Sequence, residues 1–231
     1  MQYHYLLAGL DDLQLGQKSH LPFNNLIELF EEQMPASDFA YIKLLQKRSD
    51  DADIMALMQD DAVQDRFHET SLSEEDFRTQ LLLEKGMKAK RKFVRKWFEF
   101  NLNLNNVLAA SVCQRHGYDP QEVIVGNNEV AQLLRKGGVA KNANLAAVLP
   151  ELKDIIAVSE MADLLDRERH IDALRWQWLE EQTRFKYFQI DNVLAYYLQA
   201  EILHRWDELT REQGEQIFRA LLADLKKDVK F

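Results

Sequence analysis

Proline and glycine are scarce in this chain, four and eight among 231 residues. Few positions therefore break a helix or supply a left-handed turn, so helices should be many. Valine and isoleucine are few beside leucine, alanine, glutamate, glutamine and lysine, which disfavours sheet. The single cysteine, Cys113, excludes an internal disulfide and fits a reducing compartment. No apolar run approaches the ~20 residues needed to cross a bilayer. The opening MQYHYLLAGLDDLQL lacks the basic start and long apolar core of a signal peptide. A cytoplasmic protein is expected, reaching a membrane only through partners. Excess positive charge is missing too: the formal net charge of −9 argues against a general nucleic-acid binder.

What is present suits a helical core. Apolar residues make up 46% and charged residues 29%, enough of each for a buried interior under a solvated surface. The pattern predicts an all-α fold, a multi-helix bundle of helical hairpins around one long central helix. That helix lies in the stretch 88–136, which the rest of the chain is organised around. Phe93, Trp97, Phe100, Leu104 and Val107 recur at steps of three and four and line one side. Gly117 is placed to stop the helix, with Pro120 just beyond. Asn101, Asn103, Asn105 and Asn106 crowd one segment, although asparagine is a mediocre helix former. Either these amides face solvent or cap a break, or two of them cross-bond to neighbouring helices and fix how helical pairs dock.

Elsewhere, Tyr3-His4-Tyr5-Leu6-Leu7-Ala8 reads as a short extended strand or arm. Helix starts are expected after Pro22, and at Ser37 with its hydroxyl as cap. A short helix covers 54–58, and the polar stretch 59–71 reads as a mobile loop. Ser73 and Asp76 form a capping pair for a helix carrying Phe77, Leu81 and Leu82. Gly137, Gly138 and the small polar residues to Asn144 suggest a hinge. It divides an N-terminal region, 1–136, from a C-terminal region, 137–231, within one compact domain. Beyond it come a short helix at 151–158 and a longer one from about Glu160. A penultimate helix presents Leu194, Leu198, Ile202 and Trp206. A last helix, capped by Thr210 and Gln213, carries Phe218, Leu221, Leu222, Leu225 and Val229.

Reactive chemistry has few footholds. Glu201 and His204 share one helical face at the spacing used in carboxylate-bridged di-metal bundles, but those sites need the pair twice and two further Glu. Asp65 with His68 and Cys113 with His116 repeat the spacing singly, whereas zinc sites normally need four ligands. Cys113 and His116 lie one turn apart on one helix, a poor geometry for a nucleophile and its base, and Cys113 is expected buried. Gly137-Gly138 lacks the Lys-Ser/Thr that completes a phosphate loop. No catalytic residue, cofactor or metal is assigned. A helical carboxylate/His metal enzyme built on Glu201 and His204, or an unrelated protein-binding scaffold, is the alternative function.

Two features suit partner binding instead. Lys88, Lys90, Arg91, Lys92, Arg95 and Lys96 form a local positive surface on an acidic chain. Of these, Lys88, Arg91, Lys92, Arg95 and Lys96 are taken as candidate partner-binding residues. Trp176 joins them, because Trp176 and Trp178 point to different sides of a helix and one should face outward.

The segment FVRKWFEFNLNLNNVLAASVCQRHGYDPQEVIVGNNEVAQLLRK resembles the repeat unit of the C subunit of V/A-type rotary ATPases, the eukaryotic subunit d. YHYLLAGLDDLQL and RERHIDALRWQWLEEQTRFKYFQIDNVLAYYLQAEILHRW are more similar to an uncharacterised bacterial family encoded in V-type ATPase operons. The resemblance to that family spans most of the chain, whereas that to the C subunit covers about one repeat. The chain is also short for the three pseudo-repeats of a C subunit. The resemblance implies a non-catalytic, cytoplasmic component, peripheral to the inner membrane. Its partners would be the central stalk and the rotor ring that moves protons or sodium ions.

Overall fold

Every regular element among the described residues is helical, and the fold is all-α. The computed structural model describes residues 3–17, 21–139 and 144–208. The helices are α1 (His4–Ala8), α2 (Phe23–Gln33), α3 (Ala36–Leu45), α4 (Ala52–Leu57), α5 (Asp61–His68) and α6 (Glu74–Met87). They continue as α7 (Lys92–His116), α8 (Glu129–Gly137), α9 (Leu145–Val148), α10 (Leu152–Ser159), α11 (Leu164–Thr183) and α12 (Ile190–Glu208). A 3-10 turn covers Pro120–Glu122.

Local chemistry sets many of these ends. The Ser73 hydroxyl accepts from the Asp76 N–H at 3.1 Å and donates to the Asp76 carboxylate at 2.6 Å. Asp60 accepts from the N–H groups of Ala62 and Val63, Asn128 from Ala131, and Asp163 from Asp166, so three more helix starts have a side-chain cap. At the far end of α7, Gly117 adopts φ +72°, and the Tyr118 N–H returns to the Cys113 carbonyl at 3.0 Å. That six-to-one bond with a left-handed glycine is a Schellman stop, as the sequence predicts.

The chain forms two compact units. One comprises Met1–Phe39 and Leu179–Phe231, the other the intervening Ala40–Trp178. In the first, α2 packs on α12. Phe23 meets Tyr197 at 5.8 Å and Phe30 meets Tyr196 at 6.5 Å between ring centroids. Leu26, Phe30, Val193, Leu194, Tyr197 and Leu198 are almost fully buried there. In the second, α7 is the axis against which α6, α8 and α10 pack. Trp178 lies over Phe93, Trp97 and Phe100 at 5.8, 5.5 and 5.2 Å. Gly86 of α6 sits against the Phe98 ring so closely that a Cβ would fall 2.2 Å from it. A subsidiary cluster of Ile54, Met58, Leu72, Phe77 and Leu81 joins α4 to α6, with Val63 and Phe67 of α5 covering it.

The structure corrects several expectations. The expected N-terminal strand is helix α1, held by the Tyr3 N–H bonding to the Phe188 carbonyl and by the His4 ring lying 4.5 Å from that of Phe188. The expected loop 59–71 contains α5, whose cap is Asp60 and whose apolar residues find the α4–α6 cluster. Ser37 is not a cap but lies inside the first turn of α3, which begins at Ala36. The α11 start shifts from Glu160 to Leu164 because Asp163 supplies the cap. Gly137 and Leu145 both belong to the Ala40–Trp178 unit, so the two compact units do not divide at the expected 136/137 boundary. The hinge residues 140–143 and the last helix with its Thr210 cap lie outside the described residues.

Candidate functional site

The basic stretch is not one continuous helix. It straddles a corner: α6 ends at Met87, residues 88–91 turn, and α7 starts at Lys92. Arg95 makes this corner rigid. Its Nη1 donates to the Ala89 carbonyl at 2.8 Å and to the Lys90 carbonyl at 2.7 Å, satisfying acceptors that a helix end leaves bare. Arg95 and Arg91 are half-buried. Lys88, Lys90, Lys92 and Lys96 are exposed, and among the described residues none of the four is engaged in an ion pair. The α7 start has no side-chain cap and no acidic residue in its first turn. The positive end of the helix dipole therefore adds to the lysine charge.

Trp176 does not belong with this surface. It is 6% exposed, as is Trp178, because α11 is covered on both of the sides that two residues at that spacing face. The expected outward anchor is a core residue.

The asparagines of α7 do what the bolder of the two expectations required. Asn106 is 1% exposed and pairs with the backbone of Val125. Its Nδ2 donates to the Val125 carbonyl at 2.8 Å, and its Oδ1 accepts the Val125 N–H at 2.9 Å. One side-chain amide thus matches one peptide unit, donor to acceptor, as a strand neighbour would. Asn103 Oδ1 accepts from Nδ2 of Asn128, whose own Oδ1 caps α8. Asn101 Oδ1 accepts from Nε of Arg175 on α11 at 3.0 Å. Only Asn105 faces solvent. The sequence reading did not single out Arg135, whose Nη2 donates to the carbonyls of Ile124 and Gly126 at 2.7 Å each. Burial lowers the Arg135 pKa from its ordinary value. Segment 124–128 is thereby tied to α7, α8 and, through Gln80 bonding the Gly126 N–H, to α6. The clue in the sequence was Asn128 followed by Glu129, a helix start.

The candidate reactive residues are dispersed. Cys113 is buried, and that burial, reinforced by Asp119 and Glu122, raises its pKa from the ordinary thiol value. The His116 ring stacks on Tyr118. His204 stacks on Phe23 at 4.6 Å, with Nε2 3.5 Å from the Glu208 carboxylate. Among the described residues no three His, Cys, Asp or Glu side chains gather as metal ligands would. No described helix is long and apolar enough to cross a membrane.

The class that fold and surface define is an all-α protein that spends its buried polar groups on locking helices together and exposes a lysine-rich corner. A family model described as a protein of unknown function (DUF2764) matches residues 61–229, and the chain belongs to that family. No curated protein and no solved structure matches it.

Proposed function

We propose that the protein is a non-catalytic, C-subunit-like component or accessory factor of a V-type rotary ATPase, linking the central stalk to the membrane rotor ring. The resemblance of the α7–α8 segment to the C-subunit repeat motivates this reading, and the amide-locked α7 is the observation that carries it. A coupling piece must pass force without deforming. Twenty-five residues of helix braced by buried and half-buried side-chain bonds to segment 124–128 and to α11 meet that need. In this reading the protein sits at the cytoplasmic face, peripheral to the inner membrane. It holds no cofactor, and it works during proton or sodium transport without chemistry of its own. The test is purification of the intact ATPase from cells carrying a tagged copy of the chain, with subunits quantified by mass spectrometry. Stalk and rotor-ring subunits are expected in fixed ratio to the tag. Recovery of neither from an intact complex would refute the reading.

A further inference from the structure

A basic residue at a helix start opposes the helix dipole, so Lys92 weakens α7 where an acidic residue would strengthen it. The contrast with α6 is direct, since α6 opens on Glu74, Glu75 and Asp76 behind a Ser73 cap. A local arrangement that costs stability and leaves four lysines without carboxylate partners marks a surface shaped by something outside the fold. We propose that Lys88, Lys90, Lys92 and Lys96 form a docking face for a compact acidic patch on a separate protein.

The surroundings of the corner discriminate among polyanions. Single-stranded nucleic acid needs aromatic platforms, and here Phe93 and Phe98 are buried while Trp97 packs on Trp178 and Phe100. A bilayer surface favours apolar or aromatic anchors among the cations, and no exposed large hydrophobic residue lies within 86–99. Both would also spread as uniform negative charge beyond the corner. The other end of α6 carries exposed Glu74 and Glu75. The fourteen residues of α6 separate the two ends by roughly 21 Å, beyond the Debye length of about 8 Å at physiological salt. The acidic end therefore neither neutralises the lysines nor tolerates an extended anion. A discrete carboxylate patch held on the rigid Arg95-pinned corner meets neither obstacle. Lysine rather than arginine suits it too, since point charges accept carboxylates in varied geometry. This docking face does not depend on the rotary-ATPase reading.

The experiment uses the full chain and three fluorescent probes: a short glutamate-rich peptide, an oligouridylate of the same length, and vesicles of phosphatidylcholine with phosphatidylglycerol. Anisotropy or co-sedimentation is followed at low and physiological salt. The peptide should bind in a salt-sensitive way and bind better than the other two. Changing all four lysines to alanine should weaken it about tenfold or more. Changing all four to arginine should preserve binding, and circular dichroism should show both variants folded. Tighter binding of RNA or vesicles, or an alanine variant that binds as well as the parent, would overturn the proposal. So would salt-sensitive self-association lost in the alanine variant, because the acidic face would then be a second copy.

Discussion

Replacing Asn106 by aspartate exchanges one donor for a second acceptor at a site that is 1% exposed. The Val125 N–H keeps its partner, but the Val125 carbonyl, now 2.8 Å from a donor, would face carboxylate oxygen. When protonated, the new side chain mimics the amide, with its O–H donating and its carbonyl accepting. The folded state thus favours the neutral acid, and its pKa should rise by ~2–3 units above the reference of about 3.9. A raised folded pKa means that the folded state holds its proton longer than the unfolded chain. Stability is then intact below the unfolded pKa and falls as pH rises toward the folded pKa, where the loss levels off. At ~1.4 kcal/mol per unit, the plateau is roughly 3–4 kcal/mol. Alanine at the same position leaves both Val125 groups unpaired, about 1–3 kcal/mol each, with no pH dependence. Urea unfolding of the parent and both variants between acid and neutral pH measures this. A stability difference between parent and Asn106→Asp that stays constant across that range would refute the pairing argument.

Gly86→Ala gains ~1 kcal/mol of helix propensity but forces a Cβ into the Phe98 ring, an overpacking cost of ~1–3 kcal/mol. A net loss of up to about 2 kcal/mol in denaturant titration is expected, relieved by Phe98→Leu in a double-mutant cycle, and a stabilised variant would contradict the contact. Asp53 is held to a pKa of about 2 by hydrogen bonds from Lys47 and then Lys85, so its contribution is present above pH 3.8 and lost as pH falls through that lowered value. Because its side chain is 40% exposed, solvent screening limits that contribution to ~1 kcal/mol or less, and the gap between parent and Asp53→Asn should close at acid pH. Asp60→Ala removes the cap of α5 and should cost about 1 kcal/mol, seen as faster amide exchange at Ala62 and Val63.

The central helix was legible because its signals are local. Phe93, Phe100, Leu104 and Val107 recur at helical steps and are buried, and Gly117 marks the stop. What escaped depends on contacts distant in sequence. Aromatic, apolar residues 3–8 look extended by composition, whereas the stretch is helical and its Tyr3 and His4 contact Phe188, far away in sequence. Asp60 was a readable cap, but the polar surroundings of α5 hid that Val63 and Phe67 have a cluster to cover. Trp176 was assigned to the surface from spacing alone, which fixes direction but not what lies in that direction. The crowd of asparagines pointed to the seam, yet their partners Val125, Asn128 and Arg175 lie up to 74 positions away. For the basic run, composition located the charge, whereas only the corner geometry separates the arginines that hold the turn from the lysines that project.

The unit formed by both ends of the chain has a consequence for synthesis. Met1–Phe39 leaves the ribosome well before α12, the helix on which its α2 packs, since α12 begins at Ile190. At translation rates of ~5–20 residues per second, the opening segment waits on the order of ten seconds while the contiguous Ala40–Trp178 unit emerges complete. Leu26 and Phe30 stay uncovered throughout that interval, so chaperone occupancy on nascent chains should peak on α2 and end once α12 has been released.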